Sequence, residues 1–272
     1  MPLDHQTHGP PHPRIELAYR AGGLSPRNRP LVGAAFLIAL LALWQAGCSA
    51  GLIGELVLPS PAAVARALWA MAVSGELWLN LGASLYRLTL GWALGATCGA
   101  LIGVLIGTNT AIRSAGSAFV AAVFPIPKVA LLPLFIIWFG IGEWSKIATI
   151  AFGSFFPMAI NTASGVDGVA RSLIRMGQSF GLRDRAIIRD VILPGAMPGL
   201  LAGLRVSSSI AIILLVAAEM IGAENGIGAM VLAAGNLYQT DRLLAGVLVL
   251  SCLGLCVSWA ITRLERHLLR WR

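Results

Sequence analysis

Charge is scarce in this sequence. Asp, Glu, Lys and Arg make up 12% of its 272 residues, about half the ~25% of an ordinary soluble domain. With 57% hydrophobic residues and a mean hydropathy of +0.79, that shortage excludes a conventional water-soluble domain and puts the chain in the membrane class. Cysteine is sparse too. Cys48, Cys98, Cys252 and Cys256 all fall in apolar segments. Cys252 and Cys256 share a helix face with no His or carboxylate beside them, so they read as small hydrophobes rather than as a metal site or disulfide. The catalytic signatures HExxH, Cys-x-x-Cys and GxSxG are missing. So is the glycine-rich phosphate loop ending in Gly-Lys-Ser/Thr, which argues against ATP binding by this chain. No chain of intramembrane carboxylates points to a proton-coupled carrier.

What is present is a series of long apolar runs. A spanning helix needs about 20 such residues. Six segments qualify, roughly 31–48, 88–107, 117–139, 147–165, 197–221 and 243–262. They are too long and too uniformly apolar for barrel strands, so the fold class is all-α integral membrane protein with about six transmembrane helices. Residues 1–30 contain three His, several prolines and Arg14, Arg20, Arg27 and Arg29, without an apolar h-region. They read as a disordered N-terminal tail rather than a signal peptide. Residues 31–262 form the transmembrane domain, and 263–272 a basic C-terminal tail that includes the isolated His267.

The net charge of +8 lies between the spans. No basic stripe interleaved with aromatics is present, so nucleic-acid binding is excluded. With both termini on one side, that side carries fourteen of the 20 basic residues. They lie before span one, at Arg113, between spans four and five, and after span six. The other side carries Arg66, Arg87, Lys146 and Arg242. The positive-inside rule then puts both termini in the cytoplasm. Lys128 and Arg205 fall within spans.

Span two carries Gly91, Gly95, Gly99, Gly103 and Gly107, one glycine every fourth residue. That register makes a smooth groove for close approach of a second helix, in this chain or another. In the first outer segment, Ser60 is suited to cap a short helix that starts at Pro61. Val64, Leu68 and Met71 lie on one side of it, as in a helix on the outer membrane surface. The segment Ser84-Leu85-Tyr86-Arg87 leads into span two.

The longest polar segment inside the transmembrane core runs from Arg171 to Arg205, within a loop at about 166–196. It predicts one helix over about 168–180 ending near Gly181, which can take a left-handed conformation. A second starts near Asp184, a charge suited to a helix N-terminus. Pro194 is expected to break it, with span five starting around Pro198. Such a helix-turn-helix could pass force from a soluble partner to the membrane helices.

This loop resembles the EAA motif of ABC importer permeases, in which Glu-Ala-Ala is followed by Gly four residues after the second Ala and later by an apolar residue, any residue, then Leu-Pro. Gly181 matches the glycine, and Val191, Leu193 and Pro194 match the end. The triplet itself is Arg175-Met176-Gly177, so the acidic residue and both alanines are absent. Phe124 to Lys146 (FPIPKVALLPLFIIWFGIGEWSK), Val216 to Gly228 (VAAEMIGAENGIG), LPSPAAVARAL and the closing LERHLLRWR are similar to the branch serving nitrate, taurine, alkanesulfonates and some pyrimidine or riboflavin-type compounds. The likeness covers about residues 52–272.

The resemblance implies a type I importer permease fold in a bacterial inner membrane. It implies a homodimer of permeases, two cytoplasmic ATPase subunits docked on the loops, and a periplasmic or lipid-anchored binding protein. ATP and Mg would sit on the ATPase, and this chain would carry no cofactor. A stand-alone secondary transporter or channel is the alternative.

Charged and polar residues in the spans are candidates for a translocation path. Pro125, Pro127 and Pro133 would break the helix around Lys128 and put it in an irregular, protein-lined or wet region, where it could attract an anion or could serve as a snorkelling or gate-structural lysine. Arg205 could pair with an acid or snorkel. Glu219 fits helix–helix bonding or gating better than contact with a sulfonate. Ser154, Asn161 and Ser208, with Ser207, Ser209 and Thr162, could line the path or bond to backbone carbonyls.

Overall fold

Apolar runs in lipid must satisfy their own backbone, and they do so as helices. The computed structural model describes residues 30–269, and within these no strand occurs. The tail expected over residues 1–30 lies almost wholly outside the described residues. The elements are α1 (Pro30–Ser49), α2 (Pro61–Val73), α3 (Glu76–Thr108), α4 (Thr110–Val123), α5 (Leu132–Phe139), α6 (Glu143–Asp167), α7 (Arg171–Ser179), α8 (Asp184–Ile187), α9 (Leu193–Gly222), α10 (Ile227–Asn236) and α11 (Thr240–Leu268). Among the described residues five helices are long and apolar enough to cross a membrane, and the bent pair formed by α4 and α5 can supply a sixth crossing.

That pair is the third span, broken at its prolines as expected. The chain turns by 90° between Val123 and Lys128, and a 3-10 turn at Lys128–Leu131 leads into α5. Pro125 and Pro127 offer no N–H to an α-helical ladder, so the helix stops there. Pro133 falls in the first turn of α5, where a missing N–H is harmless.

The second span also begins earlier than its hydropathy suggested. α3 has 33 residues, about 50 Å at 1.5 Å per residue, against a hydrocarbon core of about 30 Å. Arg87, assigned to an outer segment from sequence, is three turns inside α3 and 3% exposed. Lys146 was assigned likewise. It sits in the first turns of α6 and is 4% exposed.

α6 is the axis of the bundle. Its buried residues run from Ser145 to Val166, and it lies between α3 and α9. The five spaced glycines of α3 all face it. A methyl carbon on Gly91 would lie 2.7 Å from Ile150 Cβ, on Gly103 2.6 Å from Thr162 Cβ, and on Gly107 2.6 Å from Val166 Cβ. On Gly95 it would collide with the Ala151 carbonyl. On the other side Gly199 meets Gly165 with 2.5 Å between the added carbon and Gly165 Cα. Both contacts are backbone-close, so the three helices behave as one slab.

α2 is capped as anticipated: Ser60 Oγ accepts from Ala63 N–H at 3.2 Å and Pro61 opens the helix. Its buried face is Val64, Ala67 and Met71, which pack with Leu77, Ile227, Met230 and Ala245. α1 leaves Leu31, Phe36, Ile38 and Leu43 exposed, as a lipid-facing helix does. α11 continues to Leu268, so the first residues of the basic C-terminal segment are helical.

Candidate functional site

Two features stand at opposite ends of the slab. The first is the α7–α8 element, between the end of α6 and the start of α9. α7 stops where expected. Gly181 has φ +71, a left-handed conformation that is cheap only for glycine. Its N–H donates to Gln178 O at 2.9 Å, and Leu182 N–H to Gly177 O at 3.1 Å. These bonds satisfy the last carbonyls of α7. α8 begins at Asp184, and Ala186 N–H donates to Arg183 O at 2.8 Å.

Beyond α8 the expectation of a break at Pro194 is corrected. The chain continues as helix from Asp184 through Gly222, with a π-helical turn at Ile188–Ile192. Pro194 cannot donate to the carbonyl four residues back and its ring crowds that carbonyl. The widened π turn immediately before it absorbs both problems, so the helix bulges instead of ending. Val191, Leu193 and Pro194 are therefore part of an uninterrupted rod.

The element is welded to that rod and to α6. Val166, Val169, Ile187, Ile192 and Ala196 form one buried cluster, with Ile174 and Val191 packed on it. Gly177 is buried, and a methyl carbon there would touch Ile187 Cγ1 at an ordinary 3.4 Å. The site thus has room for the alanine the sequence omits. Arg175 and Met176 point away from the cluster and are exposed.

The second feature is a buried ionic network at the other end. Arg87 Nη1 donates to Glu219 Oε1 at 2.8 Å. Its Nε and Nη2 donate to the two oxygens of Glu143 at 2.6 and 2.7 Å. Nη1 also reaches Asn225 O at 2.6 Å. Ser84 Oγ lies 2.8 and 2.9 Å from the carboxylate oxygens of Glu219 and accepts from Ile227 N–H at 2.9 Å. Gly228 N–H donates to Glu219 Oε2 at 2.9 Å, and Gly226 N–H to Asn80 Oδ1 at 2.8 Å. Lys146 Nζ donates to Gly142 O at 2.9 Å. Gly226 has φ +138, and a Cβ there would strike the Glu219 carboxylate. The network joins α3, α6, α9 and the turn before α10. Such a cluster is tolerable in low dielectric because Arg87 is paired with Glu143 and Glu219 and the Lys146 ammonium is hydrogen-bonded to a backbone carbonyl.

The path candidates are not gathered at one point. Lys128 sits on the break between α4 and α5, donates to Phe124 O, and lies 4.7 and 5.2 Å from the ring centres of Phe124 and Phe156. Ser154 and Ser208 are buried and bond to Ile150 O at 2.6 Å and Arg205 O at 2.9 Å. Asn161 Nδ2 donates to Pro157 O at 2.8 Å. Ser207 accepts from Trp92 Nε1 at 3.0 Å. Glu219 is 1% exposed, with its carboxylate committed to the network. Arg205 pairs with Glu265 of α11 at 2.6 Å.

Sequence reasoning missed Asn80, Ser84, Arg87, Glu143 and Lys146 as a group. One signal was available. Asn80, Ser84 and Arg87 continue the Gly91–Gly107 register upward by steps of three or four, the spacing of one helix face.

Comparison with known proteins gives one family model, described as binding-protein-dependent transport system inner membrane component, over residues 95–270. The putative aliphatic sulfonates transport permease SsuC of Escherichia coli is 37% identical over 86% of this chain and 89% of its own length. The taurine transport system permease TauC of the same organism is 36% identical over 86% of this chain and 87% of its own. The riboflavin transport system permease RibX of Chloroflexus aurantiacus is 35% identical over 86% and 88%. Among solved structures, an inward-facing MetNI methionine ABC transporter chain matches with a TM-score of 0.63 and 22% identity over 71% of this chain and 97% of that one, a likeness of fold.

Proposed function

The chain belongs to the family of binding-protein-dependent transport system inner membrane components, and from that premise we propose that it imports a small organic anion of the alkanesulfonate or taurine type, driven by a separate ATPase. It is an ABC importer permease, a multi-pass inner-membrane protein. The names of the sulfonate and taurine relatives support the cargo class. Nitrate is a second small anion of similar charge.

The observation that carries the coupling reading is the α7–α8 element. Gly181 and the Val191-Leu193-Pro194 ending hold the spacing of the resembled motif, and the element is packed on both α6 and α9. Pushed from outside, it would move those two helices together, since a well-packed cluster transmits displacement rather than absorbing it. α3 would follow through the glycine contacts. The Arg87 network would keep the far ends of α3, α6 and α9 in register while the slab tilts. Rigid-body motion of this kind is a common switching device.

In this reading α7–α8 and both termini face the cytoplasm, consistent with where the basic residues lie. Two copies of the chain form the path, two ATPase subunits hold ATP and Mg, and a binding protein delivers cargo to the Arg87 end. Lys128 is the contact for the anion. Its ammonium has no carboxylate within 4.0 Å among the described residues. Ser154, Asn161 and Ser208 have a weaker claim, since they carry no charge to attract an anion.

The test is co-purification and uptake. The ATPase encoded beside this gene should co-purify with the full chain, and deletion of residues 175–194 should abolish both co-purification and uptake. An intact complex and normal uptake after that deletion would sink the coupling role.

A further inference from the structure

The outward side of the α7–α8 element is strongly basic. Arg171 and Arg175 stand one turn apart on α7, and Arg183, Arg185 and Arg189 follow. Asp184 and Asp190 are the accompanying acids. All of these side chains are exposed. Within 4.0 Å the element holds one ion pair, Arg189 with Asp190 at 3.8 Å. Arg171, Arg175, Arg183 and Arg185 have no carboxylate partner among the described residues.

A second exposed strip on α7 is apolar. Leu173, Met176 and Phe180 are 45%, 52% and 78% exposed. At 100° per residue Leu173, Met176 and the C-cap Phe180 fall on one side of α7, Arg171 and Arg175 on the nearly opposite side, and the packed Ile174 and Gly177 between the two. An exposed aromatic and methionine on one side of a short helix, with arginines on the other, is the composition of an interface centre. A partner that covers it must desolvate the guanidiniums, which is tolerable only opposite carboxylates.

We propose that the ATPase subunit receives this element in a groove with an apolar wall against Met176 and Phe180 and, across from it, an acidic wall facing Arg171 and Arg175. This rests on the docking role assigned above. The position at which the resembled motif carries Glu is Arg175, so the acidic wall would repel an element built to that motif. Charge at this point selects the partner.

The experiment uses the full-length permease in detergent and the ATPase encoded beside it, with binding measured at rising NaCl. The expected result is binding that weakens with salt, falls about tenfold for Arg175→Glu, is lost for the Arg171→Glu/Arg175→Glu double variant, and is regained when a groove Asp or Glu is changed to Lys. Phe180→Asp reads the docking itself. Loss of binding in Phe180→Asp with no response to salt or to Arg175→Glu would overturn the acidic wall and leave the docking role standing. Unchanged binding in all three variants would overturn both. Unchanged ATPase binding with altered binding of the permease to anionic lipid vesicles would assign the arginines to headgroups and also overturn the proposal. Arg175 and Phe180 are exposed, so elution as the parent species by size exclusion checks that each variant is folded.

Discussion

Arg87 binds two carboxylates from two other helices at once: Glu219 of α9 at 2.8 Å and Glu143 of α6 at 2.6 and 2.7 Å. Glu143 is partly exposed, while Glu219 is sealed. Removal of Arg87 therefore strands Glu219 in particular. Breaking a buried pair by deleting one partner is destabilising by about 3–5 kcal/mol. Arg87→Met should lower the melting temperature in detergent sharply. Arg87→Met with Glu219→Gln should lose less than the two single variants added together, by at least about 1 kcal/mol. Additive losses would mean that the two residues do not act as a pair.

The glycine contacts give a position-specific expectation. Gly99 in α3 has room for no side chain: an added carbon would be 2.5 Å from Phe155 O and 2.8 Å from Met158 Cβ. Gly33 in α1 has nothing within 4 Å. Gly99→Leu should prevent accumulation of folded protein in the membrane, whereas Gly33→Leu should express and transport like the parent. Equal expression of the two would contradict the close α3–α6 contact.

Much of this arrangement was readable in the sequence, and what was not has definite causes. The spans followed from apolar length, and Gly181 from the motif spacing. The break in the third span was legible in Pro125 and Pro127, but its 90° turn was not, because hydropathy carries no direction. Pro194 was read as a stop because a π turn leaves no compositional mark. Glu143 and Glu219 are 76 residues apart and Arg87 precedes both, so only the fold brings them together. The face shared by Asn80, Ser84, Arg87 and the glycines was legible, but a hydropathy window averages polar residues away and so starts α3 too late.

Within the α7–α8 element two glycines should respond in opposite ways. Gly177 sits mid-helix with room for a methyl group, so Gly177→Ala should stabilise α7 by about 0.5–1 kcal/mol. Gly181 has φ +71, so Gly181→Ala should destabilise the turn by about 1–2 kcal/mol. Amide hydrogen exchange over residues 171–192 should slow in the first and quicken in the second. Gly181→Trp should uncouple ATP hydrolysis from uptake or block assembly. Normal uptake by Gly181→Trp would count against the turn as a coupling joint.

Lys128 gives a selectivity expectation. Its Nζ lies over the Phe124 and Phe156 rings, with no carboxylate within 4.0 Å among the described residues. Lys128→Gln should reduce uptake of a sulfonate about tenfold or more, and Lys128→Glu should abolish it through like-charge repulsion. ATPase co-purification should be unchanged in both. Equal uptake by Lys128→Glu and the parent would remove this residue from the path.

The most direct measurement is uptake of radiolabelled taurine or an alkanesulfonate into proteoliposomes containing this chain, with and without the neighbouring ATPase and binding protein. The expected result is accumulation only with all three components and ATP, and none when residues 175–194 are deleted. Accumulation by this chain alone, without ATP, would contradict it and identify a stand-alone transporter.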